Sequence, residues 1–170
     1  VKPASLFRYQ GADKRQPREA AARWAKELAP YGITIRVLKY CPQTGACLIY
    51  LYRAGWLRSI LSEPSTRAFL AGQGYGADQS CQELLRQLSR RLCLEREFPH
   101  EIGLFLSYPP EDVLGFICNR ACNHKCVGCW KVYGDEQAAR SIFEKYEMCS
   151  KIYSRQWQQG KSIEQLTVAG

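Results

Sequence analysis

Four cysteines, Cys118-x3-Cys122-x3-Cys126-x2-Cys129, with His124 among them, form the densest group of potential ligands in the chain. Thiolates this close suit a soft or borderline metal, because four sulfurs satisfy tetrahedral zinc or an iron–sulfur cluster. If the preceding helix ran on through Cys126, residues 118, 122 and 126 would lie in a row on one face rather than around an ion. A loop after Cys118 would serve a metal better, and Asn119, Asn123 and Gly128 suit one. Cys118, Cys122, Cys126 and Cys129 are therefore the metal candidates, with zinc or an iron–sulfur cluster as the cofactor they would hold.

The second group is His100-Glu101. A zinc-protease H-E-x-x-H motif is excluded, since Leu104 stands where its second histidine belongs. With His124, His100 is one of only two side chains of its type, and an unperturbed imidazole titrates near neutrality. His100, Glu101 and Tyr108 flank one apolar segment, and Trp130 and Lys131 open another. A polar pair, a tyrosine and a cation at the ends of apolar strands mark the kind of place where α/β proteins bind ligands. These five are the candidate binding residues. No serine or cysteine is paired with His100 as a nucleophile, so no catalytic residue is assigned. A binding or accessory protein is expected ahead of an enzyme; His100 as general acid or base is the enzymatic alternative.

Three further motifs lack their context. Gly72-Gln-Gly-Tyr-Gly-Ala77 follows a helix rather than a strand, so it is read as a turn and not as a dinucleotide fingerprint. Gly160-Lys161-Ser162 ends like a phosphate loop, but Arg155 occupies the position of its first glycine. Cys122-x3-Cys126-x2-Cys129 resembles the cluster motif of radical S-adenosylmethionine enzymes, which carry it before several βα units, whereas here only a strand and a long helix follow.

The 170 residues, 46% hydrophobic and 24% charged, fit one globular domain over positions 1–170. The chain opens on Val1 within a strand pattern, so an upstream segment is expected to be missing. Its longest apolar runs, 46–52 and 102–106, are too short to span a bilayer. The net charge of +8 is spread over helix faces (Lys14, Arg15, Arg18, Arg23; Arg86, Arg90, Arg91, Arg96) with no aromatic–basic signature, so specific nucleic-acid binding is not expected. Nine cysteines without a secretory signal fit reduced thiols in a cytoplasm. The oligomeric state is open.

The elements that must position these groups follow from periodicity. Strands are expected at Ala4–Tyr9, Ile33–Tyr40 and Ala46–Tyr52, the last two forming a hairpin around a five-residue turn with Cys41 as a loop thiol and Cys47 as a core thiol. Helices are expected at Arg18–Ala29 after Pro17, at Trp56–Leu61, at Thr66–Leu70, and along the stripe Cys81, Leu85, Leu88, Leu92, where Ser80 and Glu83 form a capping box. Ile102–Leu106 reads as a buried strand, and Pro110-Glu-Asp as the start of a helix over Val113–Ile117. Trp130–Tyr133 reads as a last strand, and Asp135 opens a long helix. The order β-α-β-β-α-α-β-α-β-α gives an α/β or α+β fold with a mixed, partly antiparallel sheet of about five strands packed with helices.

Phe98-Pro-His-Glu-Ile-Gly-Leu-Phe-Leu-Ser-Tyr-Pro109, Glu111-Asp-Val-Leu-Gly-Phe-Ile117 and Trp130-Lys-Val-Tyr133 resemble the bacterial family "domain of unknown function 3793". Lys2–Phe7, Tyr50–Arg53, Phe69-Leu70 and Gly74-Tyr75 extend the likeness over nearly the whole chain. The resemblance implies a cytoplasmic protein of anaerobic Firmicutes with no established activity. Gene neighbourhoods with flavodoxin and iron-uptake genes imply an accessory role in metal or redox physiology, with a small molecule or a redox or metal-handling protein as partner. The four cysteines depart from that family's pattern, so a metal site would be peculiar to this member.

Overall fold

The computed structural model describes residues 2–167. Three segments of alternating sequence form one antiparallel sheet of β1 (Ala4–Tyr9), β2 (Thr34–Tyr40) and β3 (Cys47–Tyr52), in the order β1-β3-β2. The central strand is apolar on both faces because both are covered. Side chains alternate along it, so Cys47 and Ile49 pack on Ala21 of α1 (Gln16–Leu28), while Tyr50 and Tyr52 enter the principal core. Cys41 stays in the turn, where its thiol donates to Gln43. The loop-thiol and core-thiol assignments therefore both hold.

The principal core is closed by helices: α2 (Ala54–Ser62), α3 (Pro64–Gly72) and α4 (Cys81–Leu94). Their apolar stripes supply Leu57, Leu61, Leu70, Leu84, Leu85, Leu88 and Leu92. The expected capping box at α4 is present: the Ser80 amide donates to Glu83 Oε2 at 2.8 Å, and the Glu83 amide donates back to the Ser80 hydroxyl. The result is an α+β fold, helix-rich, with a smaller and more uniform sheet than expected. It has three strands rather than about five, and none of them is parallel.

The main correction concerns residues 102–106. Ile102–Phe105 is a single helical turn, α5, and not a strand. Pro99, His100 and Glu101 accept i→i+3 bonds from Ile102, Gly103 and Leu104, so the chain coils as soon as it passes the proline. The run is buried on every side, which removes the alternation that would distinguish strand from helix.

That coil turns Glu101 inward. Its carboxylate is 2% exposed, pairs with Arg91 Nη1 at 2.8 Å and accepts the Tyr75 hydroxyl at 2.9 Å. Burial, and then the Glu101 charge, push the Tyr75 phenol far above its usual range, so it remains a donor. Arg91 also donates to the Gln73 carbonyl at 2.8 Å, tying α4 to the end of α3. Glu101 thus locks the core, and its carboxylate is turned away from the other expected binding residues. Arg91→Ala, which leaves that carboxylate buried without its cation, is expected to destabilise folding by about 3–5 kcal/mol; urea unfolding monitored by circular dichroism measures it.

Candidate functional site

Helix α6 (Pro110–Cys118) begins with a proline at a position where no N–H is needed, followed by Glu111 and Asp112 in the first turn. Asp112 is only 3% exposed. One carboxylate oxygen accepts the Trp130 indole N–H at 2.7 Å; the other accepts the backbone N–H groups of Tyr133 and Gly134, each at 2.7 Å. A buried carboxylate is tolerated when its lone pairs meet donors in this way. The three bonds hold a small antiparallel ribbon, β4 (Cys126–Val127) and β5 (Lys131–Val132), against α6. The expected strand at Trp130–Tyr133 is this shorter β5. Beyond it, Asp135 caps α7 (Glu136–Gln158) by accepting the Ala138 N–H at 3.0 Å.

The ribbon and α6 enclose a cleft of about 270 Å³, lined among others by His100, Tyr108, Phe116, Val127, Trp130 and Lys131. Four of the five expected binding residues meet there, and the fifth, Glu101, faces the core instead. Trp130 is buried, stacked on Tyr108 at 4.8 Å and met edge-on by Phe143 of α7 at 4.5 Å. Burial pushes the Tyr108 phenol up, helped by neighbouring Cys129 and Tyr146. The Phe116 ring forms the floor between two nitrogen-bearing side chains: the His100 ring centroid lies 4.9 Å from it and the Lys131 ammonium 6.0 Å. His100 is exposed at the rim.

The cysteines do not converge. Among the described residues no three His, Cys, Asp or Glu side chains are grouped so as to hold a metal ion. Cys118 ends α6, Cys122 lies near the Tyr133 phenol, Cys126 packs toward α7, and Cys129 sits beside Tyr108 and Tyr146. All four are free thiols. As they stand in this structure, the four thiols do not form the grouped ligand set that tetrahedral zinc or a cluster needs. The other side of the same hairpin faces a wider groove of about 900 Å³, where Gly128 and Cys129 meet Phe143, Tyr146, Cys149 and Tyr153 of α7 and Ala4 and Tyr52 of the sheet.

Sequence reasoning missed Asp112 and Phe116 as site residues. Asp112 reads as an ordinary acid in a helix's first turn. Its signal is indirect: a buried tryptophan needs an acceptor, and the family-like segments offer three acids for it, Glu101, Glu111 and Asp112.

Sheet, helices and aromatic cleft define a small α+β protein with a compact hollow beside a carboxylate-clamped ribbon. The chain belongs to the family described as Protein of unknown function (DUF3793), whose model matches residues 1–167. No curated protein and no solved structure matches it.

Asp112→Ala would leave one indole and two backbone donors without their acceptor. The expected cost is about 3 kcal/mol or more, at roughly 1–3 kcal/mol per stranded buried group. Asp112→Asn, which keeps an acceptor oxygen but loses the charge, is expected to lose less. Thermal unfolding, with near-ultraviolet circular dichroism reporting on Trp130, ranks the two.

Proposed function

We propose that this protein binds a small carboxylate with an apolar body about one ring in size, in the cleft between α6 and the β4–β5 ribbon. The observation that carries the reading is an imbalance of polar capacity. The one acid of the cleft, Asp112, has its oxygens occupied by three N–H donors. Among the described residues the Lys131 ammonium gives one hydrogen bond, to the Ala121 carbonyl at 2.7 Å, and so keeps two donors for a ligand. His100 adds a second nitrogen donor at the rim. The remaining lining is largely aromatic and aliphatic. An anionic group read by Lys131 and His100, with its hydrocarbon over Phe116 and Val127, matches that distribution. The volume lies just below the usual range of roughly 300–1,000 Å³ for drug-sized ligands, which selects a compact molecule.

Binding is favoured over catalysis by the place of His100. It is exposed, and its ring contacts among the described residues are with Phe98 and Phe116; no nucleophile or orienting acid accompanies it. We propose further that it acts as an accessory binding protein in the cytoplasm, in metal or redox physiology.

Benzoate is a suitable probe and benzylamine its charge-inverted control. Benzoate is expected to shift the Trp130 indole N–H and the Val127 and Lys131 amide resonances saturably, and benzylamine is not. Lys131→Ala is expected to weaken benzoate about tenfold, the loss of one charge-assisted hydrogen bond. Benzoate shifts that fail to saturate, or that map elsewhere on the molecule, would sink the reading.

A further inference from the structure

Building on the carboxylate reading of the cleft, we propose that the turn Asn119–Cys122 is a positioning element that fixes the reach and direction of the Lys131 ammonium. Helix α6 ends in paired capping bonds, from the Arg120 N–H to the Ile117 carbonyl at 3.2 Å and from the Ala121 N–H to the Phe116 carbonyl at 2.9 Å. The Cys122 N–H then closes the turn on the Asn119 carbonyl at 2.9 Å. Arg120 and Ala121, the two central residues, both have positive φ, 48° and 62°. Turns with two successive residues of this hand strongly favour Asn-Gly, and the Cβ atoms of arginine and alanine oppose it. A conformation held against the preference of its own residues is held by its surroundings, and such places cluster at binding sites.

The surroundings here are the cleft. The turn aims the Ala121 carbonyl at Lys131, whose ammonium donates to it at 2.7 Å. The Ala121 N–H is tied to Phe116, whose ring forms the cleft floor 6.0 Å from that same ammonium. Turn, floor and cation form one closed circuit. A lysine on a four-carbon stem has many rotamers and a strongly hydrated head; the carbonyl takes one of its three hydrogens and points the other two at the hollow.

Three substitutions separate this role from a merely structural one. Ala121→Gly suits positive φ and keeps the turn. It is expected to raise the melting temperature by about 2–4 °C, the shift that relief of its left-handed strain gives a chain of this size, with the Lys131 ammonium unchanged. Ala121→Pro cannot adopt positive φ and lacks the N–H that Phe116 accepts. In the wild type and in Ala121→Gly, a slowly exchanging Lys131 ammonium resonance is expected in nitrogen-15 spectra; in Ala121→Pro it is lost. Benzoate affinity then falls about tenfold, to the level of Lys131→Ala, while affinity for neutral benzyl alcohol stays the same. Ala121→Val, whose β-branch resists the turn, is the milder second variant with the same losses in smaller degree. A wild-type protein without a protected Lys131 ammonium overturns the proposal whichever variants fold, and so does an Ala121→Pro or Ala121→Val protein that keeps both the resonance and the preference for benzoate over benzyl alcohol. A protected ammonium in a wild type that binds no benzoate leaves the positioning intact and removes the carboxylate reading.

Discussion

The carboxylate of Asp112 is the constraint on which the cleft-bearing half of the molecule depends. Three N–H groups from a segment about twenty residues away converge on it. Through them the first turn of α6 fixes the orientation of Trp130, the end of β5 and the point where the chain leaves the ribbon. Asp135, which caps α7, follows one residue after the last of those donors. The start of the longest helix is therefore set by the same group that sets the cleft wall. A two-residue ribbon is too short to hold itself in place by its own ladder bonds, so the buried carboxylate takes over the task that strand length performs in the main sheet.

A second buried acid serves the other half in a comparable way. Glu101 joins Arg91 of α4 and Tyr75, beyond the end of α3, to the loop that delivers His100. His100 and Glu101 are neighbours in sequence yet have opposite fates, one at the rim of the cleft and one in the core. Each carboxylate anchors one side of the hollow: Glu101 through the loop that carries His100, Asp112 through the segment that carries Trp130 and Lys131.

How much of this could be read from the residues depended on whether a local pattern survived burial. The strands of the main sheet, the capping box of α4, and the proline and acidic starts of α6 and α7 carry their own signals, and they stand where periodicity put them to within a few residues. Ile102–Phe105 has no such signal: with every position buried, apolar content no longer encodes direction, and a helical turn and a strand look alike. The ribbon was legible only at its Lys131–Val132 half, because the cysteines of the other half suggested ligation instead of pairing. His100, Tyr108, Trp130 and Lys131, grouped by their chemistry, line one cleft. Glu101 was joined to them by adjacency, which a tight turn makes misleading, and Asp112 was passed over because its helix-start role conceals its tertiary one. The left-handed turn at Arg120 and Ala121 could not be foreseen at all, since neither residue type announces it.

Gly128 shows what such compactness means for the sequence. It belongs to the lining of both hollows, the cleft on one side of the hairpin and the wide groove on the other. A Cβ added there would lie 2.2 Å from a ring carbon of Phe143, the aromatic residue that also braces Trp130. A side chain can be added at this point of the hairpin only by displacing the Phe143 ring, and with it the brace on Trp130. Change at this position is therefore coupled to Phe143, and remodelling of either hollow in the course of evolution meets less resistance through its outer walls.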